Sequence, residues 1–348
     1  MPRIFNSIRQ RLLKENRLTR YLVYAIGEIL LVVIGILIAV NINDWNADRK
    51  QQREIKQLLT VFEKDLAANI KDATSTLEWV TSRDSICQRI VQGKVTREMY
   101  EDKTVRPVFT NDNVASINKE NLERLLAKEE LMGTGSEALL QLLKTYKDLI
   151  EREAITAERF RAYVYDQNQY LMDNATWYSA YRDSSSDEAM DYFLNDPIYR
   201  NKTWFYQTMM THNYGRQVAM RRNAELALYH LLKEQQGTVS PEDLQTGFRH
   251  LGFAPNEALE CTAEVDLQDH RTKGFAPFIL NTGPDTLKVM IRSMRGRTVR
   301  TDSTTIPPGE YLAASSYFNQ YFDLSRNGRC IGRFLPEAKG YAILGNTE

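Results

Sequence analysis

Hydrophobic residues follow three different patterns along this chain, and the first is a continuous run near the N-terminus. From Tyr21 to Val40, twenty consecutive residues include a single charged one, Glu28. An α-helix of that length rises about 30 Å, which matches the hydrocarbon core of a bilayer. The pattern therefore predicts a transmembrane helix over residues 21–43 and the lipid bilayer as a partner.

The second pattern is helical periodicity, which occupies residues 44–236. Apolar residues recur every three or four positions, the spacing of one face of an amphipathic helix. Helices are predicted at about 44–94, 117–132, from 136 toward 178, and from 196 to 237. Their apolar faces are Ile55, Leu59, Phe62, Leu66, Ile70, Ala73, Leu77 and Val80; Leu122, Leu125 and Leu126; Leu139, Leu143, Tyr146, Ile150, Ala154, Ala157, Phe160 and Val164; and Phe205, Met209, Met220, Ala227 and Leu231. No single stripe can bury itself, so an antiparallel helical bundle is expected.

The third pattern is a series of short apolar runs in residues 274–348, which follow a connector at 237–273 containing one short helix. Turn signals such as Pro307-Pro308-Gly309 and Asn327-Gly328 separate these runs and favour an antiparallel β-sandwich. The predicted strands are 278–280, 287–294, 310–316, 321–324, 330–335 and 341–344. The fold class is therefore α+β: one transmembrane helix, an antiparallel helical bundle and a small C-terminal sandwich.

Charge on the two flanks of the apolar run predicts its orientation. Residues 1–20 carry six basic side chains and one acidic one, whereas residues 44–65 carry five of each. Basic segments stay in the cytoplasm, so residues 1–20 form a cytoplasmic tail and residues 44–348 lie in the periplasm. A cleaved signal peptide is the alternative, but its apolar core would be shorter, and no Ala-x-Ala site follows Val40.

Two kinds of residue inside the predicted span have roles to consider. Glu28 is costly in hydrocarbon, so three roles are open: a hydrogen bond to another helix or shallow solvation near the cytoplasmic end, contact with a multi-span partner, or proton relay. Gly35 and Ala39 form a small-xxx-small pair, and Gly27 lies two turns earlier on nearly the same face. Small residues let a second helix approach closely, so this face is a candidate for homo-oligomer formation.

Composition narrows the function classes. The 45 basic and 45 acidic residues give zero net charge and no sign of a nucleic-acid footprint. Cys261 and Cys330 are the favoured disulfide pair among three cysteines, because both lie in the last third of the chain. No phosphate loop, zinc motif or nucleophile elbow occurs, so no catalytic residue, metal ligand or cofactor is assigned.

The segment from Glu15 to Lys50 carries a resemblance. It contains YAIGE at 24–28, IGILIA at 34–39 and an Asn-rich stretch ending in Trp-Asn at 41–46. In these elements it resembles the opening of an uncharacterised family of single-span membrane proteins from Gram-negative bacteria. The resemblance extends over about residues 15–235. It implies placement in the inner membrane, and it implies no activity.

A second resemblance covers about residues 275–336, which is similar to the β domain of the von Hippel–Lindau tumour suppressor. The shared features are Asn281, the Pro307–Gly309 turn, the Ser316-Tyr317 pair and Gly332. That family binds hydroxyproline in a peptide through a Ser together with a His, a Trp and a Tyr. Only the Ser carries over, as Ser316; Gln320 stands at the His position and Phe322 at the nearby Trp position. The resemblance implies peptide recognition near Ser316, Tyr317, Gln320 and Phe322.

The sequence therefore predicts a non-enzymatic, inner-membrane-anchored protein whose β domain binds a peptide or protein in the periplasm. An accessory subunit of an ion-coupled envelope complex, acting through Glu28, is the first alternative. A hydrolase without a recognised motif is the second.

Overall fold

The computed structural model describes residues 18–105, 107–110, 112–132, 136–179, 186–236, 241–265, 277–295, 298–313, 320–337 and 339–345. The predicted cytoplasmic tail lies almost entirely outside these residues. Of the described residues, 64% are helical, and the strands form two small sheets. It divides into two compact units, one formed by residues up to Leu58 with Glu130–Met132, the other by Leu59–Glu129 and the chain from Gly133 onward.

The α-helices follow the order of the predicted helices, and the structure also contains short helices that were not predicted. The α-helices, α1 to α8, are Leu18–Val91, Arg97–Glu101, Glu120–Leu126, Glu137–Asn174, Asp187–Asn195, Pro197–Gln207, Arg216–Gln236 and Pro241–His250. Short 3₁₀ turns occupy Val108–Thr110 and Glu129–Leu131, and a π-helix occupies Thr208–Gly215. The starts of α6 and α8 confirm the proline signals, because proline suits the first helical position.

Helix α1 contains the apolar run and the first amphipathic stripe. Its most apolar window has a mean hydropathy of 2.7 with no residue buried, so this helix is long and apolar enough to cross a membrane. In the second unit, six stripe residues are fully buried, which confirms the predicted face: Phe62, Leu66, Ile70, Ala73, Leu77 and Val80. Side chains that recur every 3.6 residues share one side of a helix, and here that side faces the core.

The apolar face predicted for residues 205–231 is wrong at its start. Phe205 is 43% exposed, whereas Met210, Tyr214 and Val218 are fully buried. The cause is the π-helix at Thr208–Gly215, whose i→i+5 hydrogen bonds place an extra residue in each turn. A 3.6-residue period extended across it therefore selects the wrong side of the chain.

Within the described residues, seven strands form two sheets. The strands β1 to β7 are Ala254–Pro255, Phe278–Asn281, Leu287–Arg295, Thr298–Ile306, Gln320–Arg326, Arg329–Phe334 and Gly340–Leu344. One sheet has the order β4-β3-β5-β6 and is antiparallel throughout. The other has the order β1-β7-β2 and is parallel, so the predicted antiparallel pairing holds only for the larger sheet.

One predicted strand does not form in its described part, and another strand was missed. At 310–316, Tyr311 makes only an isolated bridge to Leu280, and residues 314–319 lie outside the described chain. The missed strand is β4, which pairs with β3 over nine residues from Ile306 to Thr298. Its sequence is polar and threonine-rich because most of it lies at an exposed edge of the sheet.

The two sheets share one apolar core. It includes Ile279 and Ala342 from the parallel sheet and Leu287, Phe322 and Leu324 from the antiparallel sheet. The predicted connector helix, α8, packs against this region and against the helical bundle at once. Its buried Phe248 contacts Tyr229 of α7 at 6.0 Å between ring centroids and Phe278 of β2 at 5.7 Å.

Candidate functional site

A disulfide attaches the chain before β2 to strand β6. Cys261 and Cys330 are bonded, with 6.3 Å between their Cα atoms, which confirms the favoured pairing. Two backbone hydrogen bonds between Leu259 and Arg333, of 2.8 and 3.0 Å, continue the attachment. We call residues 259–265 the strap. The strap lies along β6 and covers this edge of the antiparallel sheet.

An open groove of about 630 Å³ lies between the strap and the outer face of the sheet. Residues 261–265 form one wall, and Tyr321 of β5 with Arg333 of β6 form the other. Thr262 and Glu264 of the strap are exposed, whereas Tyr321 and Arg333 are half-buried. The groove therefore combines polar strap groups with an aromatic ring and a guanidinium.

Arg333 organises the floor of the groove. Its Nε donates to Asp323 Oδ1 at 2.6 Å and its Nη2 donates to Asp323 Oδ2 at 3.2 Å. Its Nη1 donates to the carbonyl of Ala263, and its guanidinium lies 4.3 Å from the centre of the Tyr321 ring. The hydrogen bonds with Asp323 raise the pKa of Arg333 further above its ordinary value. Together these contacts hold the guanidinium plane in one orientation.

A second arginine shares the same carboxylate. Arg292 Nε lies 3.4 Å from Asp323 Oδ2. With Arg333 and Glu264 included, the groove and its border hold two positive and two negative side chains. The groove therefore offers hydrogen bonds and an aromatic face rather than a field of one sign, which suits an extended polypeptide better than a highly charged ligand.

The lining of the groove, as far as the structure describes it, contains one aromatic ring and one guanidinium. Its residues include no serine or histidine, and its one cysteine is bonded in the disulfide. Across the residues that the structure describes, no group of three or more His, Cys, Asp or Glu side chains could hold a metal ion.

The predicted peptide-binding residues are distributed differently from expectation. Ser316 and Tyr317 lie outside the described residues. Gln320 is 7% exposed, and Phe322 is fully buried in the apolar core, so Phe322 presents no surface to a peptide. Successive residues of a strand point to opposite faces, and the groove takes Tyr321 from between them. This alternation along β5 was the signal in the sequence that could have identified Tyr321.

The predicted membrane-helix contact residues all lie on the surface of α1. Gly27 and Gly35 have no atom within 4 Å of the point where a Cβ would stand. Ala39 is exposed and Glu28 is half-buried. Gly27, Gly35 and Ala39 are therefore open to a second helix.

A closed network of charges lies inside the helical bundle and was not predicted. Arg221 of α7 donates to Glu153 Oε2 at 2.5 Å and also to Glu225 Oε1, which accepts from the Tyr146 hydroxyl at 2.8 Å. Asn69 Nδ2 donates to the same hydroxyl at 3.0 Å. None of these five residues is more than 2% exposed. Because water and ligands have no access, the network belongs to the core.

Burial changes the protonation of this network. It raises the pKa of Glu225 to about 7, partly offset by Arg221, and it raises the pKa of Glu153 as well. In the neighbouring Arg222, which is also fully buried, desolvation lowers the pKa to about 10. The predicted stripe contains Ala154, but Ala154 is exposed and its neighbour Glu153 is the buried residue. The spacing of Ile150, Glu153 and Ala157 was the available signal.

Comparison with known proteins adds one partial match. A model described as a family of unknown function (DUF6090) matches residues 28–92, less than a fifth of the 348 residues. The match begins at Glu28 and ends one residue after α1, so it covers the apolar run and the first stripe. No curated protein and no solved structure matches the chain.

Proposed function

We propose that this chain is a non-enzymatic binding protein anchored in the inner membrane by residues 21–43. The helical bundle and the β domain then lie in the periplasm and the N-terminus in the cytoplasm. The exposed apolar side chains of α1 support the anchor, since such a surface is stable in lipid rather than water. The basic N-terminal flank supports the orientation.

The Cys261–Cys330 disulfide supports the same orientation independently. Disulfides persist in oxidising compartments such as the bacterial periplasm and are rare in the cytosol. The unpaired cysteine, Cys87, is fully buried, and burial raises the pKa of its thiol, so it is poorly suited to exchange with the disulfide. A protease added to spheroplasts tests the orientation. Loss of a C-terminal epitope without lysis is expected, and its protection would contradict the proposed placement.

The groove between the strap and the sheet carries the binding proposal. Its ordered arginine, aromatic ring and adjoining backbone are suited to an extended peptide or a protein segment. The shared core of the two sheets is consistent with a sandwich like the von Hippel–Lindau β domain. We infer the class of ligand from the groove and not from the hydroxyproline pocket of the von Hippel–Lindau family. Phe322, which stands near one of that family's pocket residues in sequence, is buried here.

Filling the groove tests this function. Thr262 is exposed and lines the groove, so Thr262→Trp adds bulk there while Thr262→Ser keeps its size and polarity nearly unchanged. The intact protein and both variants would be isolated from native membranes, and bound proteins quantified by mass spectrometry. We expect a protein that is recovered with the wild type and with Thr262→Ser but not with Thr262→Trp. The same protein should bind the purified wild type directly. Equal recovery from all three proteins would contradict binding at the groove.

The accessory-subunit alternative is tested in the same isolation. Glu28 is the only charged residue from Tyr21 to Val40. Glu28→Gln removes this charge and keeps the shape of the side chain. A multi-span protein lost from Glu28→Gln but retained by Thr262→Trp would favour that alternative. A soluble periplasmic partner that survives Glu28→Gln favours the groove.

A further inference from the structure

The antiparallel sheet has one covered edge and one open edge. The strap lies along β6 at the first edge. At the other edge, residues 299–303 and 305 of β4 are exposed. In the portion of the chain that the structure describes, β4 pairs only with β3. An open edge of this length is a template for another strand.

The direction of the β4 backbone groups follows from the register. The Lys288 carbonyl accepts from the Ser325 hydroxyl of β5 at 3.5 Å, so Lys288 directs its carbonyl toward β5. Backbone groups alternate along an antiparallel strand, so the odd-numbered residues of β3 point toward β4. Their partners are the even-numbered residues of β4. The outward NH and CO groups therefore belong to Val299, Thr301, Ser303 and Thr305.

We propose that β4 pairs antiparallel with β4 of a second copy of this chain, with the two-fold axis at Thr301. In that register Arg300 lies opposite the partner's Asp302, and the symmetry repeats this pair. Both side chains are exposed and share one face, as residues two apart on a strand do. Val299, Thr301 and Ser303 then exchange about six backbone hydrogen bonds with the second strand.

The two charges favour this register over the two nearest registers that the backbone allows. Moving the axis to Asp302 places two carboxylates opposite each other, and moving it to Arg300 places two guanidinium groups opposite each other. Like charges directly opposite are destabilising, whereas opposite charges stabilise a cross-strand pair. The same side chains discourage other pairings of the edge, which makes the contact self-complementary rather than general.

Cysteine crosslinking in native membranes tests the register. In the proposed pairing, the Cα atoms of the two copies of residue 301 lie about 5.5 Å apart, and those of residue 303 roughly 14 Å apart. Thr301→Cys with a short thiol-specific crosslinker is expected to give at least fivefold more dimer than Ser303→Cys. The unmodified chain is the background control, since Cys87 is buried. Equal yields at the two positions, or crosslinking of Thr301→Cys only to a different protein, would overturn the proposal.

Charge reversal tests the selection. On the Thr301→Cys background, Arg300→Asp or Asp302→Arg alone is expected to reduce dimer yield at least fivefold. The double variant, Arg300→Asp with Asp302→Arg, restores opposite charges and is expected to recover most of the yield. Circular dichroism and the intact Cys261–Cys330 disulfide verify that each variant is folded. A folded double variant that crosslinks no better than the single ones would overturn the charge-selected register.

Discussion

Replacement of Arg221 by methionine removes the cation from the buried network and keeps a side chain of similar length. Glu153 and Glu225 both lose their charged partner while remaining inside the bundle. At pH 7, Glu153 then needs protonation, which at about 1.4 kcal/mol per unit of pKa costs roughly 3 kcal/mol for a group that ordinarily titrates near 4.5. Glu225 adds less, because its pKa is already about 7 in the unmodified protein. Relaxation reduces the total, and loss of one partner from a buried pair costs about 3–5 kcal/mol.

Thermal unfolding of the purified full chain in detergent measures this cost. Tryptophan fluorescence reports on the bundle, because Trp79 packs 6.5 Å from Phe160 between ring centroids. A loss of 3–5 kcal/mol lowers Tm by on the order of 10 °C in a unit of this size. The penalty should also shrink at pH 5, where protonation of the two carboxyls is less costly.

A surface ion pair provides the matched control. Arg97 lies 2.6 Å from Asp187, but their side chains are 44% and 90% exposed. Arg97→Met should therefore cost less than about 1 kcal/mol. If Arg221→Met destabilises the protein no more than Arg97→Met, burial does not govern the energy of the network. A triple variant that adds Glu153→Gln and Glu225→Gln should recover most of the stability, and failure to do so would also refute the reasoning.

Three further results are expected. Burial raises the folded pKa of Glu225 to about 7, so between pH 4.5 and 7 the native state keeps a proton that the unfolded chain has released. The free energy of unfolding therefore falls as pH rises through that range. Glu225→Gln should flatten this part of the plot of Tm against pH. Removal of the disulfide by Cys261→Ser with Cys330→Ser should cost about 4 kcal/mol for a separation of 69 residues, as measured by denaturant unfolding, and an unchanged midpoint would contradict it. Gly247→Ala places a carbon 2.8 Å from the Tyr229 hydroxyl and should cost about 1–3 kcal/mol in thermal unfolding, whereas Gly35→Ala meets no atom within 4 Å and should leave Tm unchanged.

The sequence predicted those elements whose burial is set by local periodicity. The stripe from Phe62 to Val80 lies in one uninterrupted α-helix, so its 3.6-residue spacing leads directly to the buried face. The same method failed across Thr208–Gly215, because no residue type announces a π-helix. Glu153 and Arg221 were missed because their burial depends on each other, and a pattern of apolar residues treats each as a surface position.

The groove depended on tertiary information in the same way. The disulfide pairing could be favoured from position in the chain, yet the strap that it creates could not. Alternation predicted that neighbouring residues of β5 face opposite sides, but it did not tell which side is the core. Tyr321 and Arg333 come together across two strands whose register the sequence left open. Strand β4 escaped detection because its polar edge lacks an apolar alternation.

Because the strap forms one wall, the shape of the groove depends on whether the Cys261–Cys330 disulfide has formed. One wall of the groove consists of residues 261–265, and a covalent bond formed after synthesis holds that wall against β6. A newly made chain still in reducing surroundings has the residues of the groove but not the bond that keeps its walls together. The proposed binding at the groove is thereby tied to disulfide formation, so chains that have not reached an oxidising compartment are expected not to bind the proposed ligand.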